Sequence, residues 1–373
     1  MNEFTELMKD LIRCRPASAD AAAVDKATCV LKDFLESRGI YCVLEKINGR
    51  LCLYASTRPG KVQDLLLNSH VDVVPAASED EYVPYEKDGW LYGRGAADCL
   101  GNTVCIARVL CAVKDSACTG AVFSSDEEIG GLTARAMVER GYGARHACIV
   151  LDAFMNHNII TKHKGMVSVK LSSHGSGGHS SLPQGRLNPI DKLVDAYIQL
   201  RKLWNEANPA AGTDWPNTMT PCIFSSGTVD NQIPTDGELV LNFRYTTDDC
   251  YERIMQMLQS VGVEFFVIRA LPPLSSDENA LSIQLLKQTV ESVMERPVKF
   301  TRVPGASDAC HLKALGVPVA IMGVNGTGYH GVGEKMELKT LDELFRILTE
   351  YIRRLKYGPF GRKTVPVPDD VKK

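Results

Sequence analysis

The chain has 373 residues, more than one hydrophobic core usually holds, so two domains are expected. Hydrophobic residues make up 45% and charged residues 23%, ordinary globular proportions that exclude a disordered chain. A formal charge of -3 excludes a broadly basic surface, and no nucleic-acid partner is expected.

Glu3 and Glu6 stand where a secretory leader carries positive charge, and no run of about 18 apolar residues occurs, so neither export nor a membrane partner is expected. The twelve cysteines lack paired CxxC spacing and read as reduced core thiols of a cytoplasmic protein. Cys99 stands apart only through its neighbour Asp98. Helical periodicity covers Glu3 to Cys14 and Ala21 to Ser37, and strand-like runs follow at Tyr41 to Leu44 and Leu51 to Ala55. The apolar run from Asp64 to His70 suits a strand covered on both faces. Helix Gly101 to Lys114, strand Gly120 to Ser125, helix Leu132 to Arg140 and strand Ala147 to Leu151 then alternate, the rhythm of a largely parallel sheet.

From Met166 the order changes to strand (Met166 to Ser173), helix (Asn188 to Leu203), strand (Cys222 to Val229), strand (Glu238 to Tyr245), helix (Asp249 to Val261) and strand (Val263 to Arg269). This is the β-α-β-β-α-β order of a ferredoxin-like unit. After Asn279 helices and strands alternate again, ending in a helix from Leu341 to Leu355. The expected fold class is therefore α/β: a mixed, mostly parallel sheet sandwiched by helices (1-164 and 274-358), with an inserted ferredoxin-like α+β domain (165-273). Residues 359-373, rich in proline and mixed charge, are expected to be a loosely ordered tail.

Chemistry-bearing residues fall at strand ends. His70-Val71-Asp72 closes one apolar strand, Asp126-Glu127-Glu128 follows a second and Asp152 ends a third. Asp98 precedes the helix that starts at Gly101, and His330 lies in a glycine-rich stretch after the strand ending near Met322. Each alone has an ordinary reading: His70 and Asp72 as a capped strand end, Asp98 as a helix cap, Glu127 and Glu128 as solvated surface. Together at one edge of one sheet they concentrate negative charge at a cost that a bound cation removes.

In order and spacing, His70-Val71-Asp72, Gly93-Arg94-Gly95-Ala96-Ala97-Asp98, Asp126-Glu127-Glu128 and Tyr329-His330 resemble the two-zinc peptidase and aminoacylase family that includes acetylornithine deacetylase, succinyl-diaminopimelate desuccinylase and carboxypeptidase G. The resemblance covers nearly the whole chain. It implies two Zn2+ per chain, with Co2+ or Mn2+ as substitutes. Asp98 would bridge them, with His70 and Asp152 on one ion and Glu128 and His330 on the other. It also implies Glu127 as general base and Asp72 as the residue that orients His70. His179, within Ser176-Gly177-Gly178-His179, would stabilise the tetrahedral intermediate in a facing site, which implies a homodimer through the inserted domain. Arg244, Asn231, Gly305 and Ser307 would hold the substrate carboxylate. Asp308 reads equally as a helix cap, and Glu334 as a residue behind His330.

The implied activity is hydrolysis of an amide next to an amino-acid carboxylate. Leu100 departs from the pattern, since members often carry lysine there, which alters the charge beside Asp98. Asp152 looks more like the peptidase branch, because the deacetylase and desuccinylase branch tends to use Glu, and Gly328-Tyr329-His330 also looks like carboxypeptidase G. An exopeptidase or dipeptidase is therefore expected first and an N-acyl-amino-acid deacylase second. A non-catalytic binding module retaining the fold is the remote third reading. The resemblance implies a small peptide or N-acyl amino acid as substrate.

Overall fold

Helix starts and strand patterns organise the computed structural model, which describes residues 2–154, 157–208 and 213–357. In chain order it forms α1 (Asn2–Arg13), α2 (Ala21–Glu36), β1 (Tyr41–Ile47), β2 (Arg50–Ser56), β3 (Val62–His70), α3 (Gly101–Val113), β4 (Thr119–Ser124), α4 (Leu132–Glu139), β5 (Gly143–Leu151) and β6 (Ile159–His163). Next come β7 (Gly165–His174), α5 (Pro189–Ala207), β8 (Thr218–Ser226), β9 (Asp236–Tyr245), α6 (Asp249–Ser260) and β10 (Glu264–Leu271). The chain closes with α7 (Leu281–Met294), β11 (Val319–Met322) and α8 (Leu338–Tyr357). The expected tail lies outside the described residues.

Two compact units result: Met1–Thr161, Ser276–Thr301 and His311–Lys373 form one, Lys162–Ser275 and Arg302–Cys310 the other. The sequence reading put Gly305 and Ser307 with the first domain, whereas their contacts lie in the second unit.

In the first unit one mixed sheet runs β1-β2-β4-β3-β5-β11-β6. Its centre is parallel, with β3 beside both β4 and β5, and β11 beside β5. Parallel strands buried on both faces demand continuous apolar text, which Leu65-Leu66-Leu67 and Ile149-Val150-Leu151 supply, all essentially inaccessible. Helix α8 lays Leu341, Leu344, Ile347, Leu348, Tyr351 and Leu355 on this core at helical spacing. Asp20 starts α2 by accepting the Ala22 and Ala23 amides, each at 3.1 Å. Ala96–Val113 is long and apolar enough to cross a bilayer, but most of it is buried as the core helix α3 and the turn before it.

A small antiparallel sheet of Gly326–Thr327, Lys335–Glu337, Trp90–Tyr92 and Tyr85–Lys87 draws the segments around Asp98 and His330 together. Segments of two or three residues leave no periodicity to detect, so the sequence reading lacked this sheet. It also lacked β6, a five-residue run.

In the second unit β8-β9-β7-β10 form an antiparallel sheet, with α5 and α6 packed on the face that buries Val167, Val169, Leu171, Leu241 and Phe243. This is the ferredoxin-like order read from the sequence. Strand β8 begins at Thr218 rather than Cys222, because an exposed edge strand tolerates Pro221 at its bulge.

Candidate metal centre

Strands β3, β4 and β5 run in parallel, so their carboxyl ends share one sheet edge, the usual place for a ligand in an open α/β sheet. His70 ends β3, Glu127 and Glu128 follow β4, and Asp152 follows β5. Asp98 sits in the turn before α3, where the backbone leaves helical geometry at Asp98 and Cys99 and the peptide bond between them is cis. His330 follows β11 in a loop whose backbone is left-handed at that residue.

The sites expected from the sequence converge. His70 Nε2 lies 3.1 Å from Asp98 Oδ1 and 3.8 Å from Asp152 Oδ1. His330 Nε2 lies 3.1 Å from Asp98 Oδ2 and 3.2 Å from Glu128 Oε2. Asp98 thus presents one oxygen to each imidazole, the arrangement of a carboxylate shared between two ions. Donor atoms of His70, Asp98, Cys99 and Asp152 all lie within 4.8 Å of one another, as do those of Asp98, Glu128 and His330, and those of His70, Glu127 and Glu128.

The electrostatics match a cation site. Burial opposes charge on His70, but Cys99, Asp152, Asp72 and Asp98 together outweigh it and push the imidazole pKa well up. Hydrogen bonds with Asp98 and Glu128 raise His330 to about 10. Asp98 is buried, a state that favours its neutral form, yet His330 and His70 pull its pKa below the ordinary value. Burial raises Glu128. A field that draws a proton onto two imidazoles is one that bound cations would satisfy, and imidazole nitrogen plus carboxylate oxygen suits a divalent metal ion. The donor set fits the group. Burial raises the Cys99 thiol to about 12, and its Sγ donates to Leu151 O at 2.9 Å. At neutral pH it is a protonated packing group.

Asp72 organises the neighbourhood of the expected base. Its carboxylate accepts the Glu127 amide at 3.1 Å and the Glu128 amide at 3.3 Å, and its backbone carbonyl lies 2.8 Å from His70 Nδ1. That carbonyl accepts the Nδ1 proton and directs Nε2 to the carboxylates. Ser18 Oγ donates to Asp72 Oδ2 at 2.6 Å. Nothing near Ser18 in sequence signals this role, since the two residues are 54 positions apart. Asp126 is spent elsewhere: it accepts Thr133 Oγ1 at 2.5 Å and the Thr133 amide at 3.0 Å, capping α4. His311, without a role in the sequence reading, lies with Nε2 2.9 Å from Gly130 O and ties down the loop after Glu128.

Glu334 proves to be more than a neighbour of His330. Its carboxylate accepts the amides of Gly95 at 2.9 Å and of Ala97 and Asp98, each at 3.0 Å, and pairs with Arg94 at 2.8 Å. Arg94 also pairs with Glu81 and donates to Gly331 O. This network clamps the Asp98 turn to the His330 loop.

The remaining expected residues lie in the second unit. His179 pairs in register with Gln232, and Ser180 N donates to Asn231 O at 3.0 Å, which brings His179 and Asn231 together. His179 Nδ1 accepts the Ser181 amide at 3.2 Å, which leaves the ring proton on Nε2 as a donor. Arg244, on β9, pairs in register with Met166, which packs with Cys310 and Ala306, so the segment holding Gly305 and Ser307 meets the same end of the sheet.

The chain is 26% identical over 380 residues to a succinyl-diaminopimelate desuccinylase of Sulfurimonas denitrificans, covering 92% of this chain and 98% of the relative. It is 24% identical over 310 residues to the Wolinella succinogenes desuccinylase, covering 78% and 84%. An M20 family metallo-carboxypeptidase of known structure from Sulfolobus solfataricus superposes with a TM-score of 0.79 at 17% identity, covering 95% of this chain and 99% of that one. The model of peptidase family M20/M25/M40 matches residues 66–354, and the chain belongs to this family of metallohydrolases acting on amide or peptide bonds.

Proposed function

We propose that the protein is a two-zinc deacylase that releases an amino acid from its N-acyl form, with Co2+ or Mn2+ as substitute metals. The observation that carries the two-metal reading is Asp98, with one oxygen 3.1 Å from His70 and the other 3.1 Å from His330. The sequence ranks an exopeptidase first on Asp152 and on the carboxypeptidase G-like Gly328-Tyr329-His330. The desuccinylase relatives, spanning up to 95% of the chain, favour the deacylase instead. Aspartate and glutamate both offer a carboxylate oxygen, so Asp152 does not count against it. The exopeptidase remains the second reading.

His70 and Asp152 would hold one ion, Glu128 and His330 the other, with Asp98 common to both. Divalent ions held there supply a polarised carbonyl and an acidified water. Glu127 takes the proton from the attacking water and returns it to the leaving nitrogen. Asp72, holding the Glu127 and Glu128 amides, fixes the base relative to a ligand. His179, with its Nε2 proton, stabilises the developing oxyanion of a facing chain in a homodimer. Arg244, Asn231, Gly305 and Ser307 hold the amino-acid carboxylate. Twelve free cysteines support a reducing, cytoplasmic setting.

The test is a panel of N-succinyl and N-acetyl amino acids and dipeptides, assayed with added zinc. The deacylase reading expects kcat/KM for an N-acyl amino acid at least about tenfold above any dipeptide, about 1.4 kcal/mol in the transition state. The reverse order would establish the exopeptidase. Purified protein with less than one equivalent of bound metal would refute both.

A further inference from the structure

The open face of the second unit's sheet collects positive charge. Side chains alternate along a strand, and with Val167, Val169, Leu241 and Phe243 turned to the helices, Ser168, Asn242 and Arg244 occupy the other face. On β10, Val267 pairs with Val169, and regular alternation would return Arg269 to the helix side. A bulge between Val267 and Arg269 shifts the register so that Arg269 pairs with Ser168 instead. The irregularity re-aims Arg269 onto the face that carries Arg244.

The charges feel one another. Burial, and then the positive charge of Arg269, oppose the charged form of Arg244. Burial, then Arg244 and Arg302, do the same to Lys164. Lys164 and Arg302 stand over the Trp215 ring at 4.7 and 4.8 Å. Asp214 pairs with Arg302. Arg244 Nε donates to Asn242 Oδ1 at 3.1 Å and Lys164 Nζ to Pro216 O at 2.5 Å, and both acceptors are uncharged. Like charges gathered in this way repel one another, and an anionic ligand relieves that repulsion.

We propose that Arg244, Arg269 and Lys164 form a dianion site that selects an amino acid bearing a second carboxylate. Arg244, with Lys164 two residues before its register partner Met166, takes the α-carboxylate, while Arg269, paired with Ser168 on the far strand, takes the side-chain carboxylate. Arg244 and Arg269 lie on the two strands flanking β7, with backbones roughly 10 Å apart, a span suited to two acidic groups separated by a few carbons. This inference rests on the reading of Arg244 as a substrate-carboxylate residue and narrows the amino acid to the acidic class.

Calorimetric titration of the zinc-loaded full chain with glutamate and with glutamine separates a second carboxylate from an amide of equal length. The site expects glutamate to bind at least about tenfold more tightly, with the gap falling to within about twofold in Arg269→Gln, whereas Lys164→Met weakens both ligands and keeps the gap. Equal binding of the two ligands by the unmodified chain overturns the proposal, as does a gap that survives in Arg269→Gln. Should Arg269→Gln not fold, Arg269→Met and the unmodified chain still decide. Turnover is scored separately. A chain that hydrolyses N-acetylglutamine as fast as N-acetylglutamate keeps the hydrolase reading and removes this one. A chain that hydrolyses neither but prefers glutamate does the opposite.

Discussion

Asp98 is shared by two imidazoles, while Glu127 owes its position to Asp72, and the two residues therefore fail differently. Asp98→Ala removes a donor from both half-sites, and zinc content after dialysis should fall for both ions. Glu127→Gln keeps volume and backbone contacts, so zinc content should stay unchanged while kcat falls by roughly 10²–10⁴. A Glu127→Gln variant that turns over normally would dismiss it as the base. Glu334 acts through the Gly95, Ala97 and Asp98 amides, and Glu334→Gln should weaken zinc binding by about 10–100-fold, read by competition with a chelator. Legibility at this scale follows chain locality. His70, Glu127, Glu128 and Asp152 stand at ends of apolar strands, where motif and topology coincide. Ser18 acts on Asp72 from 54 positions away, and no local pattern announces it, while Arg94 stands inside a motif whose text does not reveal its partner Glu334.

Elements read well where they are long and periodic, as in α2, α3 and the buried strands. The two- and three-residue strands around Trp90 and Met336 escape because their pairing is decided by distant partners. Helix α8 shows what a periodic face contributes. Leu348 is fully buried in the core, and Leu348→Ala should cost about 2–5 kcal/mol in denaturant unfolding. Gly323, just after β11, makes a tighter demand. A Cβ there would come within 2.1 Å of Ala153 O, next to Asp152. Gly323→Ala should therefore lower stability by about 1–3 kcal/mol and loosen zinc binding as Asp152 is displaced.

For the whole molecule, acid sensitivity follows from histidines outside the donor set. Burial lowers the pKa of both His157 and His311 from 6.5. Between the folded and unfolded values the unfolded chain binds more protons, so their contribution is intact above about pH 6.5 and is lost as pH falls through the folded values. Denaturant unfolding at stepped pH should show this decline, with a shallower slope in His157→Gln and His311→Gln. Assembly carries its own prediction: mixing inactive His179→Ala and Glu127→Ala chains should restore activity if a histidine reaches a facing site. Failure despite subunit exchange would count against a homodimer of this design.

The last feature concerns the order in which the chain is made. Strand β11 lies between β5 and β6 although it begins about 160 positions after them, and Glu334 clasps a turn whose amides belong to residues 95–98. A chain emerging from the ribosome can collect His70, Asp98, Glu128 and Asp152 early. It must wait for residues 319–334 before the sheet is filled and His330 arrives. On the proposed two-metal reading an unfinished chain would hold only part of the donor set, and full metal occupancy would certify that synthesis has passed residue 334.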